Sequence, residues 1–441
     1  MTLPHLVFLH FLGGSARTWS SVTEKLAGQF IPLGIDLPGF GTAAEVPGHT
    51  VAAMADHAAA AIRAAAPDRF VLAGHSMGAK VAAVLARRAE DGDPALAGLS
   101  GLALLGGSPP SPEPMDDAKR TEMLGWFRDG DAASHRQARH FIKANLGRRS
   151  LYGATMDALV ADVLAARRDA WCAWLEHGSR EDWSDRIGRL ALPALVLSGS
   201  EDADLGEDAQ HRLVLPHLAD AEAATLRGAG HLLPQERPDA VARLIASRFA
   251  APATVPADYR ALIDSPRVST GTRTVLLDRL HPAPPGTALS PAERATLRAV
   301  VDRVVPQAGP HRIDLADRLH AGLAGPGDGW RAATLPPDRT AWPAGLRTLD
   351  ALAEGFAGAE PEAQDRLLHQ VEAGNAGGEL DAAGMQAWFE DLRSEAVRHY
   401  VAHPATFARL GYAGIAYGGD GPYKPGFTAL GMNQREAWEP A

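Results

Sequence analysis

The segment FVLAGHSMGAKVAAVLARRAE (Phe70–Glu90) changes its hydrophobic pattern abruptly at one serine. A short apolar run precedes this serine, and the residues after it repeat apolar side chains with the period of an amphipathic helix. Ser76 stands between Gly74 and Gly78 in a G-x-S-x-G pattern, which is typical of a sharp turn from a strand into a helix. The pattern predicts that the Ser76 hydroxyl is exposed above a sheet edge, where the helix N-terminus favours negative charge.

The first 250 residues alternate short apolar runs with Ala-rich amphipathic stretches. This alternation predicts an α/β fold, in which helices cover both faces of a mostly parallel sheet. The six predicted strands are Leu6–His10, Ile31–Leu37, Arg69–Gly74, Leu99–Gly106, Pro193–Gly199 and Ala223–Gly230.

The segment from about Ser108 to Arg189 interrupts the alternation, because it contains helical patterns and no predicted strand. Helices inserted between two strands of a sheet are expected to form a cap over an active site. Aromatic residues are frequent here, and two interpretations remain open: they line an acyl pocket, or they form the core of the cap. These residues are Trp126, Phe127, Phe141, Trp171, Trp174 and Trp183.

A nucleophilic serine at such a turn needs an acid and a histidine, which follow it in that order along the chain. Three acids come after the fifth predicted strand; we predict Asp202 as the catalytic acid, with Glu201 and Asp204 as alternatives. His231 follows the sixth strand. In this prediction His231 takes the proton of Ser76, Asp202 orients the imidazole, and an acyl-enzyme forms and is hydrolysed.

An oxyanion hole is expected from the loop after the first strand and from the residue next to the nucleophile. The backbone N–H of Met77 is one predicted donor, and the N–H of Leu12, or of Phe11, is the other. We expect the side chain of His75 to point away from the site, and His10 to be a structural histidine. This chemistry requires no cofactor and no metal ion.

The composition changes after the sixth strand and its following helix. AAPATVPAD (Ala250–Asp258) is typical of a linker, and helical patterns prevail beyond it. The predicted helices begin at Pro291, with Ser290 as the N-cap, and cover Glu362–Ala373 and Gly384–Ala402. The sequence therefore predicts two domains, one over residues 1–250 and a mainly α-helical one over about residues 255–441.

The composition also limits the partners and the location. The net charge of −10 argues against a nucleic-acid partner and against an anionic membrane surface, because both need clustered Lys and Arg. The one cysteine, Cys172, excludes an internal disulfide. The N-terminal sequence lacks signal-peptide features and no apolar run is long enough to span a membrane, so we expect a cytoplasmic protein without membrane insertion.

Residues 1–250 resemble the α/β-hydrolase family. The resemblance rests on HFLGGSARTW, the turn DLPGFG (Asp36–Gly41), GHSMG, SGSEDAD and GAGHLLPQERP. It implies cofactor-free cleavage of a carboxylic ester, a lactone, an amide or a carbon–carbon bond. The sequence departs from the family in one respect, because the usual His-Gly is His10–Phe11 here.

Residues from about 255 to 441 resemble the gluconate 2-dehydrogenase subunit 3 family. The resemblance rests on LSPAERATLRAVVDRVVP (Leu289–Pro306), HYVAHPATFARLGYAG (His399–Gly414) and the closing Ala437–Pro440. It implies a helical accessory subunit that accompanies a flavin-containing sugar or alcohol dehydrogenase. A flavin-dependent dehydrogenase subunit is therefore the macromolecular partner that the C-terminal domain suggests.

Together these features predict a serine hydrolase that cleaves a small-molecule ester or lactone and is fused to a dehydrogenase-accessory-like domain. Dehydrogenases that oxidise a sugar at its anomeric carbon release lactones, so a fused lactone-opening enzyme would remove that product. Two alternatives remain open. The chain could act mainly as a binding or maturation subunit for the dehydrogenase, or the same fold could catalyse carbon–carbon bond hydrolysis or haloperoxidase-type chemistry.

Overall fold

The computed structural model describes residues 3–127, 131–325, 333–422, 424, 426–429, 431–432 and 434–440. The chain forms two compact units. The first unit comprises Met1–Ala250, Ser290–Ala299 and Leu349–Leu367, and the second comprises Ala251–Leu289, Val300–Thr348 and Leu368–Ala441. Two segments from the predicted C-terminal domain thus belong to the first unit, and the domain boundary near residue 250 stays a prediction.

The first unit is built on a six-stranded sheet in which every neighbouring pair of strands is parallel. The strands are β1 (His5–Leu9), β2 (Ile31–Ile35), β3 (Phe70–His75), β4 (Leu99–Leu105), β5 (Leu190–Gly199) and β6 (Leu218–Leu226), in the order β2-β1-β3-β4-β5-β6. The predicted α/β class and the presence of all six strands are confirmed. The continuous apolar run of β3 is explained by burial, since every residue of this strand is buried.

Strand β6 lies earlier in the chain than the predicted segment Ala223–Gly230. Its first half contains Asp220 and Glu222, and acidic residues are depleted in strands, so the pattern of β6 is weak in the sequence. Both acids lie at the sheet edge opposite arginines that come from elsewhere in the first unit.

Glu222 is the most buried member of this charged cluster, with its side chain 2% exposed. Arg298 binds it in a fork, with Nε 2.9 Å from Oε2 and Nη2 2.7 Å from Oε1. Arg248 and Arg294 both bind Asp220, at 3.0 Å and 2.5 Å. The segment that contains Arg294 and Arg298 therefore neutralises the two acids of the edge strand β6.

The helices of residues 1–250 alternate with the strands, apart from a group inserted between β4 and β5. They are α1 (Ser20–Lys25), α2 (Val51–Ala65), α3 (Met77–Glu90), α4 (Asp117–Gly125), α5 (Asp131–Ala144), α6 (Gly153–Ala165), α7 (Arg168–Glu176), α8 (Ser184–Ile187), α9 (Glu207–Leu213), α10 (Leu233–Glu236) and α11 (Pro238–Phe249). In the described residues 108–127 and 131–189, the insertion contains helices and no strand, as expected.

The later part of the chain is mainly helical, which confirms that part of the predicted fold class. Its helices are α12 (Ala257–Asp264), α13 (Thr270–Asp278), α14 (Pro291–Val304), α15 (Leu315–Gly322), α16 (Asp338–Ala353), α17 (Pro361–Glu372), α18 (Ala382–Val401) and α19 (Pro404–Arg409). Ser290 and Glu293 form a reciprocal cap at the start of α14: the Ser290 N–H donates to the Glu293 carboxylate, and the Glu293 N–H donates to the Ser290 hydroxyl.

The second unit has its own small apolar core, which includes Tyr259, Ile263 and Ala416. The Tyr259 hydroxyl donates to the carbonyl oxygen of Tyr412 at 2.6 Å. The predicted linker is partly ordered, because Ala251–Pro252 forms a short parallel strand pair with His311–Arg312. A two-residue strand is too short to leave a hydrophobic period in the sequence.

None of the helices in the described part of the chain combines the length and hydrophobicity needed to cross a bilayer.

Candidate active site

Ser76 occupies the turn between β3 and α3 with φ 53° and ψ −119°. A positive φ is uncommon for a residue with a Cβ atom, and such strain persists only where the surroundings determine it. A Cβ on Gly74 would lie 2.5 Å from the carbonyl oxygen of Gly78, and a Cβ on Gly78 would lie 2.7 Å from that of Leu9. The two glycines allow the close backbone contacts that hold Ser76 in this conformation.

His231 and Asp202 are joined by a hydrogen bond, with His231 Nδ1 2.7 Å from Asp202 Oδ2. Their side chains are 12% and 4% exposed, so the pair is largely shielded from solvent. The other carboxylate oxygen, Oδ1, accepts from the N–H groups of Asp204 at 3.2 Å and Leu205 at 3.0 Å. Because Nδ1 faces the carboxylate, Nε2 is the ring nitrogen of His231 that remains for proton transfer.

The electrostatics of this pair favour a charged carboxylate. Burial opposes ionisation of Asp202, but the charge and hydrogen bond of His231, together with two backbone N–H groups, lower the pKa of Asp202 to about 2. Burial likewise opposes protonation of His231, yet the charge and hydrogen bond of Asp202 outweigh it and raise the pKa of His231. Asp202 is thus placed to stabilise an imidazolium when one forms.

The two alternative acids have other partners. Glu201 pairs with Arg148 at 3.0 Å, and Asp204 pairs with Lys119. Of the three acids after β5, Asp202 is the one that binds His231 in the described part of the chain.

Ser76 and His231 line the same cavity, which has a volume of about 60 Å³. No hydrogen bond joins the Ser76 hydroxyl to the imidazole in the residues that the structure describes; such contacts are often long in unliganded sites and shorten when substrate binds. Its apolar wall includes Leu12, Met115, Met123, Phe141 and Trp174.

The aromatic residues of the insertion divide between the two interpretations left open by the sequence. Trp174 and Phe141 line the cavity. Trp126 and Trp171 pack against each other with ring centroids 6.2 Å apart, and Trp171 is 1% exposed. The insertion therefore supplies one wall of the cavity and has an aromatic core of its own.

The predicted oxyanion donors are free to bind a ligand oxygen. Within the described residues, the backbone N–H groups of Met77, Leu12 and Phe11 donate no hydrogen bond to the protein. The carbonyl oxygen of Phe11 accepts from His10 Nδ1 at 2.8 Å and from the Gly14 N–H at 2.9 Å. A trans peptide directs its C=O and N–H to opposite sides, so these bonds also fix the direction of the Leu12 N–H.

His10 is buried and structural, and it orients the loop that contains the predicted oxyanion donors. Its Nε2 accepts the Leu37 N–H at 3.0 Å, so Nδ1 carries the proton that Phe11 accepts. His75 does not line the cavity, but its side chain reaches the backbone of His231, which the sequence pattern did not indicate.

Glu236 is a fully buried residue that no pattern in the sequence marked as functional. One carboxylate oxygen accepts the Gly147 N–H at 2.8 Å, and the other accepts the Gly230 N–H at 2.9 Å. The His231 N–H also donates to the Asn145 carbonyl at 2.8 Å. Glu236 thus joins the loop after α5 to the loop that carries His231; its only sequence signal was its place within GAGHLLPQERP.

Comparison with protein families gives two matches. A model of the alpha/beta hydrolase family matches residues 6–244, and a model of gluconate 2-dehydrogenase subunit 3 matches residues 291–419.

Several curated proteins are similar over the first part of the chain. A 2-succinyl-6-hydroxy-2,4-cyclohexadiene-1-carboxylate synthase from Citrobacter koseri is 28% identical over 247 residues, which cover 54% of this chain and 90% of that protein. The protein of the same name from Salmonella agona is 28% identical over 242 residues, with the same coverages.

Solved structures with a similar fold include two hydrolases. A thermophilic esterase from Thermogutta terrifontis is 25% identical, with a TM-score of 0.46, and the match covers 56% of this chain and 88% of that one. An enol-lactonase from Burkholderia xenovorans LB400 is 19% identical, with a TM-score of 0.46, and the match covers 56% and 90%.

Proposed function

The chain belongs to the alpha/beta hydrolase family and carries a gluconate 2-dehydrogenase subunit 3 domain, and from this we propose that it is a serine hydrolase of carboxylic esters or lactones. Ser76 is the nucleophile, His231 the base and Asp202 the acid of the proposed reaction. The observation that carries the proposal is the 2.7 Å hydrogen bond between His231 and Asp202, beside a cavity that Ser76 also lines.

In the proposed reaction, His231 Nε2 takes the proton of the Ser76 hydroxyl as its oxygen attacks the substrate carbonyl. The oxyanion binds the N–H groups of Met77 and Leu12 (or Phe11). His231 then returns the proton to the departing alcohol, or to the alcohol end of an opened lactone. Water activated by His231 cleaves the acyl-enzyme and releases the acid, so the reaction consumes one water and no cofactor.

The C-terminal domain has a separate proposed role. It binds a flavin-dependent sugar or alcohol dehydrogenase, and the hydrolase opens the lactone that this partner releases. The family match over residues 291–419 supports this role. Co-purification of a flavoprotein with the full chain is expected; a chain that recovers no flavoprotein from the cells that produce it would contradict the role.

A second candidate function comes from the curated relatives, which are named as synthases of a cyclohexadiene carboxylate. Their similarity extends over 90% of their length, which favours related chemistry at the same site. Formation of that product by the purified chain, with no ester or lactone hydrolysis, would decide for this candidate.

A fluorophosphonate probe and a substrate panel test the proposed hydrolase. We expect labelling of Ser76, abolished in Ser76→Ala and strongly slowed in His231→Ala, with hydrolysis of p-nitrophenyl esters or sugar lactones above the spontaneous rate. The matched control is His177→Ala, because the His177 side chain is 74% exposed and should be dispensable. No labelling, together with lactone opening at only the spontaneous rate, would overturn the proposal.

A further inference from the structure

The active-site cavity contains a carboxyl group that the proposed reaction does not use. Glu113 lies in the loop between β4 and α4, and its side chain lines the same cavity as Ser76 and His231. It comes from a stretch whose sequence, SPPSPEPMDD, indicates only a loop. Its position against the nucleophile is therefore a product of tertiary structure.

Glu113 is anchored at a defined position relative to the nucleophile. The hydroxyl of Ser108 donates a hydrogen bond to Glu113 Oε1, and Ser108 is 3% exposed. The Ser108 N–H donates to the carbonyl oxygen of Ser76 at 3.1 Å, and the Glu113 N–H donates to that of Ser179 at 2.8 Å. Ser108 thus binds the Glu113 carboxyl group through its hydroxyl and the backbone of Ser76 through its N–H.

The second carboxyl oxygen is available to a ligand. Glu113 Oε2 has no hydrogen-bond partner among the described residues. By contrast, Lys119 and Asp204, which also line the cavity, bind each other. The amide nitrogen of Asn145 donates to the carbonyl oxygen of Phe141 at 2.8 Å. Glu113 is thus held in place through one carboxyl oxygen, while the other can still accept a hydrogen bond from a ligand.

The surroundings of Glu113 have opposing effects on the pKa of its carboxyl group. Burial raises the pKa of Glu113, whereas the Ser108 hydroxyl and the positive charges of Lys80, His231 and Arg120 act against it, and burial prevails. Lys80 is fully buried, and its ammonium group is held by backbone carbonyls rather than by a carboxylate. The geometry leaves Oε2 as the carboxyl oxygen that can accept a hydrogen bond from a substrate group.

A hydroxyl group meets this requirement, because its O–H can donate to a carboxyl oxygen. An ionised Glu113 would repel a substrate carboxylate bound in the same cavity. We infer that Glu113, anchored by Ser108, is a specificity residue that binds a hydroxyl group beside the scissile carbonyl, so that the enzyme prefers hydroxylated esters and lactones. This inference rests on the proposed hydrolase function.

Matched lactones test the inference. The ratio of kcat/KM for α-hydroxy-γ-butyrolactone to that for γ-butyrolactone is measured for the wild type and for Glu113→Leu. A hydrogen bond to a group of this kind predicts that the ratio exceeds 1 in the wild type and falls by about 10- to 100-fold in Glu113→Leu. Because both lactones are measured with the same variant, any general effect of Glu113→Leu on the cavity cancels in the ratio.

Two further variants guard against a merely structural effect. Glu113→Gln keeps the size and one acceptor, so its ratio should be intermediate, and Ser108→Ala should lower the ratio by releasing the anchor. A wild-type ratio near 1, or a ratio unchanged in both Glu113 variants, would overturn the inference while Ser76-dependent hydrolysis persists. Loss of the proposed function itself has a different signature: neither lactone is opened by the wild type, and the fluorophosphonate probe does not label Ser76.

Discussion

The Nε2 atom of His75 lies 2.8 Å from the carbonyl oxygen of His231. A carbonyl only accepts, so Nε2 of His75 carries the proton, and its buried Nδ1 has no partner in the described residues. Burial and the nearby charge of His231 lower the pKa of His75 to about 3. His75 is therefore a neutral donor that holds the backbone of the proposed base.

Replacing His75 tests this positioning role. The His231 carbonyl also accepts the Leu233 N–H at 3.0 Å, so His75→Phe keeps a ring of similar size and removes one of two donors, at a cost of about 1 kcal/mol. We expect kcat to fall about fivefold with KM nearly unchanged. His177→Phe, at an exposed histidine, is the control. Equal kcat in His75→Phe and wild type would show that His75 does not position the base.

The pH dependence of the reaction follows from the raised pKa of His231. The imidazole must be neutral to take the Ser76 proton, so kcat/KM should rise with pH through a pKa above the usual histidine value of about 6.5. Asp202→Asn removes the charge that raises this pKa, so the rise of kcat/KM should occur at lower pH. The same change should reduce kcat by about 10⁴-fold, the size found in the serine protease template.

A profile measured between pH 5 and pH 9, roughly the range that histidine titration spans, checks both parts of this prediction. Asp208→Asn is the matched control, since Asp208 is exposed and pairs with Arg212. If kcat/KM rises at the same pH in Asp202→Asn as in the wild type, the proposed role of Asp202 is contradicted.

Glu236→Gln tests whether the joined loops determine the position of His231. The substitution keeps one acceptor but turns an amide N–H₂ toward the N–H of Gly147 or of Gly230, both within 2.9 Å of the present carboxylate. We expect kcat to fall about tenfold, because one buried donor loses its acceptor. Glu176→Gln, on an exposed side chain, should leave kcat unchanged. A wild-type kcat in Glu236→Gln would exclude the positioning role.

The charged cluster at the sheet edge makes a prediction about stability. Arg298→Met removes the fork that binds Glu222, whose carboxylate is 2% exposed, so the free energy of unfolding should fall by about 3 kcal/mol. The double variant Glu222→Gln/Arg298→Met should recover part of this loss, because it no longer buries an underpaired charge. Urea unfolding of the full chain gives these values.

The exposed pair of Arg212 and Asp208 provides the control for this measurement. Arg212→Met should change the free energy of unfolding by less than about 1 kcal/mol, as surface pairs generally do. If Arg298→Met lowers the free energy of unfolding no more than Arg212→Met does, the pairing of Arg298 with Glu222 does not stabilise the first unit.

Local patterns in the sequence were sufficient to predict most of the fold. The period of the apolar residues identified all six strands, and the glycines around Ser76 indicated a turn that the backbone of this residue, with φ 53°, now shows. The predicted bounds of β6 begin too late in the chain, because Asp220 and Glu222 are untypical of a strand. Their presence there is explained by the arginines that bind them, which the local sequence does not show. Residues 290–299 and 349–367 belong to the first compact unit, with contacts to residues distant in the chain such as Arg298 to Glu222 and Glu360 to Arg237.

The candidate site depended more on tertiary structure. The sequence offered three neighbouring acids after β5, and the fold brings Asp202 to His231 while Glu201 and Asp204 meet other partners. Nothing in the loop around Glu113 indicated that this residue lines the same cavity as Ser76. Glu236 was one residue of the segment GAGHLLPQERP, with no sign of its contacts. Hydrophobic period and glycine placement act between near neighbours in the chain and are legible from the sequence. Contacts between side chains far apart in the chain are set by how the helices and loops pack, so the structure alone decided them.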